Sequence, residues 1–244
     1  MGIQSQVSKP VKIGLGFFVV IIWLILGLKV SAQNSYIPLS IHLRGVYESK
    51  IGLIPLSGSK QFKTIVDISG INNGETTILE VSKEYLPGEF IISFESKEKR
   101  ENTPTPSEKR ILINQQNLEL WINPVYANNP DSAWFQKDEK ENTAFALFSK
   151  ENIQKIQKLD ILQNFLMNYD DTKSKLYKQA IEEYEKRRRE YNQWLNLQTI
   201  KDSSLFASSI YRFSYVPQIS WERSVPDREQ SMIQHYIDGI DYNN

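Results

Sequence analysis

The sequence predicts an α+β protein in which an N-terminal antiparallel β-sandwich is followed by an α-helical domain. Three observations lead there. Between residues 36 and 122 apolar side chains recur in short runs, many at period two, separated by Gly, Asn and Pro turn chemistry. From residue 142 onward the spacing lengthens to three and four, the period of helices. Ahead of both lies an apolar run over residues 13–28.

That run, IGLGFFVVIIWLILGL, follows Lys9 and Lys12 with no acid before it, the layout of a secretory signal. Val30-Ser31-Ala32 supplies small or modest side chains where a signal peptidase reads, so cleavage is expected between Ala32 and Gln33. The alternative is an inner-membrane anchor over residues 13–28. A run of that length reaches only about 24 Å, against a hydrocarbon core of roughly 30 Å, which favours cleavage. In both cases the rest of the chain is expected outside the cytoplasm, because the two lysines stay inside. With cleavage, the membrane is met only transiently, through the signal segment.

The strands are expected at residues 40–47, 52–56 and 61–69, then, after a turn over Gly70 to Gly74, at 76–81. Pro87-Gly88 opens a strand over 89–95, with Phe90, Ile92 and Phe94 on one face. Residues 97–109 are charged and carry Thr103-Pro104-Thr105-Pro106, which reads as a solvated loop. A last hairpin pairs 110–114 with 118–122. The boundary falls near Asp131, giving a signal peptide at 1–32, the sandwich at 33–130 and the helical domain at 131–244.

Ser149 is the expected N-cap of a helix over 150–168, whose stripe runs through Ile153, Ile156, Leu159, Leu162, Phe165 and Leu166. Asp170-Asp171-Thr172 should break it and cap a long helix over 173–199 bearing Tyr177, Ile181, Tyr184, Tyr191 and Leu195. On its other faces Glu182, Glu183 and Glu185 each precede a base by four residues. A shorter helix over 205–213 follows. Val216-Pro217 then forces extended backbone before a last helix over 227–237, with Met232, Ile233, Tyr236 and Ile237 on one side.

Composition narrows the chemistry. Lys plus Arg number 29, as do Asp plus Glu, so no net field recruits nucleic acid. With no cysteine, thiol nucleophiles, disulfides and zinc-thiolate sites are excluded. No glycine-rich phosphate loop, GxSxG elbow or HExxH pair occurs, and no cofactor is expected.

Asp138, Glu139 and Glu141, with the pair Asp170 and Asp171, are candidate carboxylates for hydrolysis or cation binding. Helix entry favours acids at such places and explains them better. His42 and His235 lie in different predicted elements and lack a local partner at ligand spacing. Lys186-Arg187-Arg188-Arg189 reads as a solvated face matched to glutamates rather than a phosphate site. Tyr211, Phe213, Tyr215 and Trp221 surround the proline-broken connector as a candidate platform for glycan or peptide. Packing of the connector onto the helices is the preferred account of them.

The stretch RILINQQNLELWINPVYANNPDSAWFQKDEKENTAFALFSKEN from Arg110, with the later LQNFLMNYDDT, EEYEKRRREYNQWL, SSLFASSIYRF and DREQSMIQHYIDGIDYNN, resembles the amino-terminal region of secreted thioredoxin-family proteins, thiol-disulfide oxidoreductases of Bacteroidetes. The resemblance implies a β domain and a helical domain ahead of a carboxy-terminal thioredoxin domain that holds the CxxC pair. No active-site cysteine has a counterpart here, so no catalytic residue carries over. At His235 to Tyr242 the family continues into further helices, which implies a truncated or partial chain.

The expected function is therefore an exported, periplasmic, non-catalytic accessory region that positions a redox domain or binds its client proteins. The alternative is a self-standing cell-envelope protein that binds glycan or peptide. A cysteine-free hydrolase using carboxylates ranks third, for want of any spacing signal.

Overall fold

Alternation along each strand decides which face enters the core. In β1 (Tyr36–Leu43) the side chains of Ile37, Leu39, Ile41 and Leu43 are buried, while the residues between them face out. The same logic orders β2 (Glu48–Pro55), β3 (Val66–Asn72), β4 (Thr76–Ser82), β5 (Gly88–Lys97), β6 (Thr105–Ile113), β7 (Leu118–Ile122) and β8 (Ala133–Phe135). The computed structural model describes residues 35–239. The expected cleavage point between Ala32 and Gln33, and the apolar run over 13–28, lie outside them.

The strands form two four-stranded sheets, ordered β4-β1-β7-β8 and β3-β2-β5-β6. Every pairing is antiparallel except β1 with β7, which run parallel from Leu39 opposite Leu118 to Leu43 opposite Ile122. The chain between them builds the whole second sheet, the long crossover that a parallel pair needs. Leu39, Ile41, Leu79 and Leu120 of one sheet share a core with Leu53, Phe90, Ile92, Phe94 and Ile111 of the other.

The expected hairpin of 110–114 with 118–122 does not form: β6 pairs with β5 and β7 with β1 and β8, so the turn between them carries the chain from one sheet to the other. Several strand edges also differ from the sequence pattern. The expected strand over 40–47 is split, because Gly45 takes a positive φ of 69° and turns the chain. Phe62 also has positive φ, so β3 starts only at Val66. It then runs through Gly70 to Asn72, with the extra residue of a bulge absorbed at Gly70, φ 76°. The expected solvated loop is shorter, since β6 begins at Thr105 and places Pro106 opposite Glu95. Proline is tolerated there because β6 is an edge strand. The three-residue β8, past the expected junction near Asp131, is too short to show a period.

The helices are α1 (Glu141–Asn168), α2 (Lys175–Lys201), α3 (Phe206–Tyr211, continued as a 3-10 turn to Ser214) and α4 (Val225–Gly239). Ser149 lies inside α1 and is not its cap. The cap of α2 is Ser174, whose Oγ accepts the Tyr177 N–H at 3.1 Å, rather than Asp170 to Thr172. Tyr177, Tyr184, Tyr191 and Leu195 line the buried face of α2 and meet Phe148, Leu159 and Leu166 of α1. On α4, Ile233 and Ile237 are left exposed. Strands and helices belong to one compact unit that begins at Tyr36.

Candidate functional site

The acids at the start of α1 form a joint. Glu139 and Glu141 are buried, whereas Asp138 is exposed. The Glu139 carboxylate accepts the N–H groups of Asn142 at 2.9 Å and Thr143 at 3.0 Å, satisfying free donors at the helix start. Glu141 accepts the N–H groups of Phe206 at 3.0 Å and Ala207 at 2.9 Å, holding the start of α3, and takes a third bond from Asn114 Nδ2. Committed to so many donors, both carboxylates are placed to fix backbone rather than to activate water.

Asn142 completes this joint. Its Oδ1 accepts the Leu112 N–H at 2.7 Å and its Nδ2 donates to the Leu112 carbonyl at 2.8 Å. The Leu112 side chain lies in the helical core, while its neighbours Ile111 and Ile113 lie in the sandwich core. One strand residue thus belongs to the sheet by its backbone position and to the helices by its contacts.

The four connector aromatics do not share a surface. Tyr211 and Trp221 are core residues. Tyr211 stacks on Phe148 with centroids 3.7 Å apart and donates its hydroxyl to Asp202 at 3.1 Å. Trp221 meets Tyr184 edge-on at 5.1 Å. Phe213 is exposed and Tyr215 half-buried. Packing accounts for the first two, and Tyr215 lines a cavity.

That cavity is a groove of about 470 Å³ between α1, the connector and α4. Ile156, Leu159 and Asp160 form one wall, Tyr215, Val216 and Pro217 the floor, and Met232, Ile233 and Tyr236 the other wall. Its size falls in the range of small-ligand and side-chain pockets. Two polar clamps hold the floor. Asn192 accepts the Val216 N–H at 3.1 Å and donates to the Val216 carbonyl at 2.8 Å, repeating the Asn142 arrangement. The Tyr191 hydroxyl lies 2.6 Å from Asn152 Oδ1 and 3.0 Å from the Ser214 carbonyl oxygen, and burial pushes its pKa up to about 12. Gly239 lets α4 close on the Tyr215 ring, which a Cβ there would strike.

The other candidates stay dispersed. His42 stacks on Trp121 at 4.4 Å and shares a 2.9 Å hydrogen bond with Thr76, while His235 donates to the Gln218 carbonyl at 2.9 Å. Asp170 and Asp171 are exposed and cap their own turn. Arg187 pairs with Glu183 as the spacing suggested, but Glu185 pairs with Arg188, three residues on, instead of Arg189. Arg188 is buried and also reaches the Val216 carbonyl at 3.4 Å, so it supports the groove floor. Among the described residues no group of three or more His, Asp or Glu is placed to hold a metal ion. Nor is any helix among them long and apolar enough to cross a membrane.

The sequence reading missed Asn142, Asn192 and Asp160. A lone asparagine carries no periodic signal, because its role depends on a strand or connector distant in sequence.

No family model matches the chain, and no curated protein does. Among solved structures, the crystal structure of (S)-allantoin synthase is 16% identical over 43% of this chain and 46% of that one, with a TM-score of 0.27. The chain spans about half of that structure's length, and a likeness this low carries no argument.

Proposed function

We propose that the chain is an exported, non-catalytic accessory region of a thioredoxin-family, thiol-disulfide oxidoreductase-like protein, working in the periplasm or cell envelope. Its task is to hold a redox domain in fixed orientation or to bind that domain's clients. The observation that carries this reading is the joint at Asn142 and Leu112. A body that positions another domain must not flex between its own layers, and here strand and helix share backbone hydrogen bonds through one buried side chain. The resemblance of the stretches from Arg110 onward supplies the family. Thiolate attack needs a sulfur nucleophile, so the chemistry must come from elsewhere.

Two experiments test this. Amino-terminal sequencing of envelope-fraction protein should return Gln33, and Met1 or Gly2 would instead leave a protein anchored by residues 13–28. Sequencing the genomic DNA past codon 244 should reveal a frame encoding a CxxC thioredoxin pattern. A stop codon with no such remnant overturns the accessory role. It would favour the second reading, a self-standing envelope protein that binds glycan or peptide, for which the apolar groove speaks.

A further inference from the structure

We propose that the groove between α1, the connector and α4 binds a protein segment through one large apolar side chain next to a lysine or arginine; this rests on the client-binding form of the function above. The walls are mostly apolar, with Asn152, Asp160 and Gln163 as polar members of the lining, and about 470 Å³ is room for one aromatic or aliphatic side chain with part of its neighbour. Asp160 is the charged residue of the lining, exposed, and in no ion pair among the described residues. A carboxylate beside an apolar slot selects a cation beside an apolar group. It also disfavours an anionic lipid headgroup or a carboxylated sugar.

The floor decides how the segment is held. Both backbone groups of Val216 are already bonded to Asn192, and Pro217 has no N–H, so the connector cannot add a strand to a partner. Recognition falls to the side chain in the slot and the charge at its rim. Ile233, exposed on the wall, is the contact an incoming apolar group covers.

The test is fluorescence anisotropy on the purified protein, using a labelled peptide Gly-Ser-Phe-Lys-Ser-Gly and versions with Ala for Phe or Glu for Lys. The Phe-Lys peptide should bind saturably, and each altered peptide about fivefold more weakly. Asp160→Asn should erase the preference for Lys over Glu, and Ile233→Ser should weaken both Phe peptides equally. Both positions are exposed, and far-UV circular dichroism checks that the variants keep their helices. Absence of saturation, equal affinity for all three peptides, or an Asp160→Asn protein that still prefers Lys would each overturn the proposal. So would displacement of the peptide by phosphatidylcholine vesicles, which would assign the groove to lipid. Failure here leaves the positioning role standing, whereas a stop codon without a thioredoxin remnant removes that role and leaves these affinities as measured.

Discussion

Asn142 hydrogen-bonds both backbone groups of Leu112, its Oδ1 at 2.7 Å and its Nδ2 at 2.8 Å. Its own N–H is held by Glu139, so helix start, side chain and strand form one chain of bonds. Removing the amide strands two buried polar groups, each costing about 1–3 kcal/mol when unmade. Asn142→Ala should therefore lose about 2–6 kcal/mol in urea denaturation. Asn142→Asp should be no better, because a carboxylate would face the Leu112 carbonyl and Glu139. A loss under about 0.5 kcal/mol, the size of an ordinary surface change, would mean that the joint does not hold the layers.

The connector aromatics separate packing from surface. Tyr211 is fully buried against Phe148, and its truncation to alanine should cost about 3–5 kcal/mol, as for other large aromatics in cores. Phe213 is 58% exposed, and Phe213→Ala should stay within about 0.5 kcal/mol. Equal losses for the two would contradict the burial pattern.

Alkaline stability follows from the tyrosines. Burial pushes the pKa of Tyr191 up to about 12, and those of Tyr184 and Tyr211 well above the ordinary value of 10.0, with Glu185 and Asp202 adding to the respective shifts. Above pH 10 the unfolded chain loses these protons while the folded one keeps them. Stability is then full below pH 10 and falls as the pH rises toward 12 and beyond. In a pH titration, part of the tyrosinate absorbance should rise only together with the loss of helical circular dichroism. Ionisation of every tyrosine near pH 10 with the helices intact would refute it.

Much of this fold was legible in the sequence because it rests on periodicity. The alternation of Phe90, Ile92 and Phe94, and the row Tyr177, Tyr184, Tyr191, Leu195, fix a face without reference to the rest of the chain. So did the apolar side of α4, where Met232, Ile233 and Tyr236 line the groove. Legibility ended where one residue answers to a distant one. Ser149 had the chemistry of a cap, but the packing of Phe148 against Tyr211 and Trp194 keeps that segment helical, and Glu139 caps it from upstream. Pro106 reads as a loop residue until the edge position of its strand is known. The groove needs three segments between Asn152 and Tyr236, and no spacing rule joins them.

Sandwich and helices, joined through Asn142 and Leu112 within one compact unit, should unfold as one body. Hydrogen exchange read by mass spectrometry at rising urea tests it directly, comparing amides of β5 with those of α2 in the same samples. The two sets should lose protection at one common urea midpoint, and Asn142→Ala should draw the midpoints apart. Separate midpoints in the unaltered protein would show two independently folding halves and contradict the account.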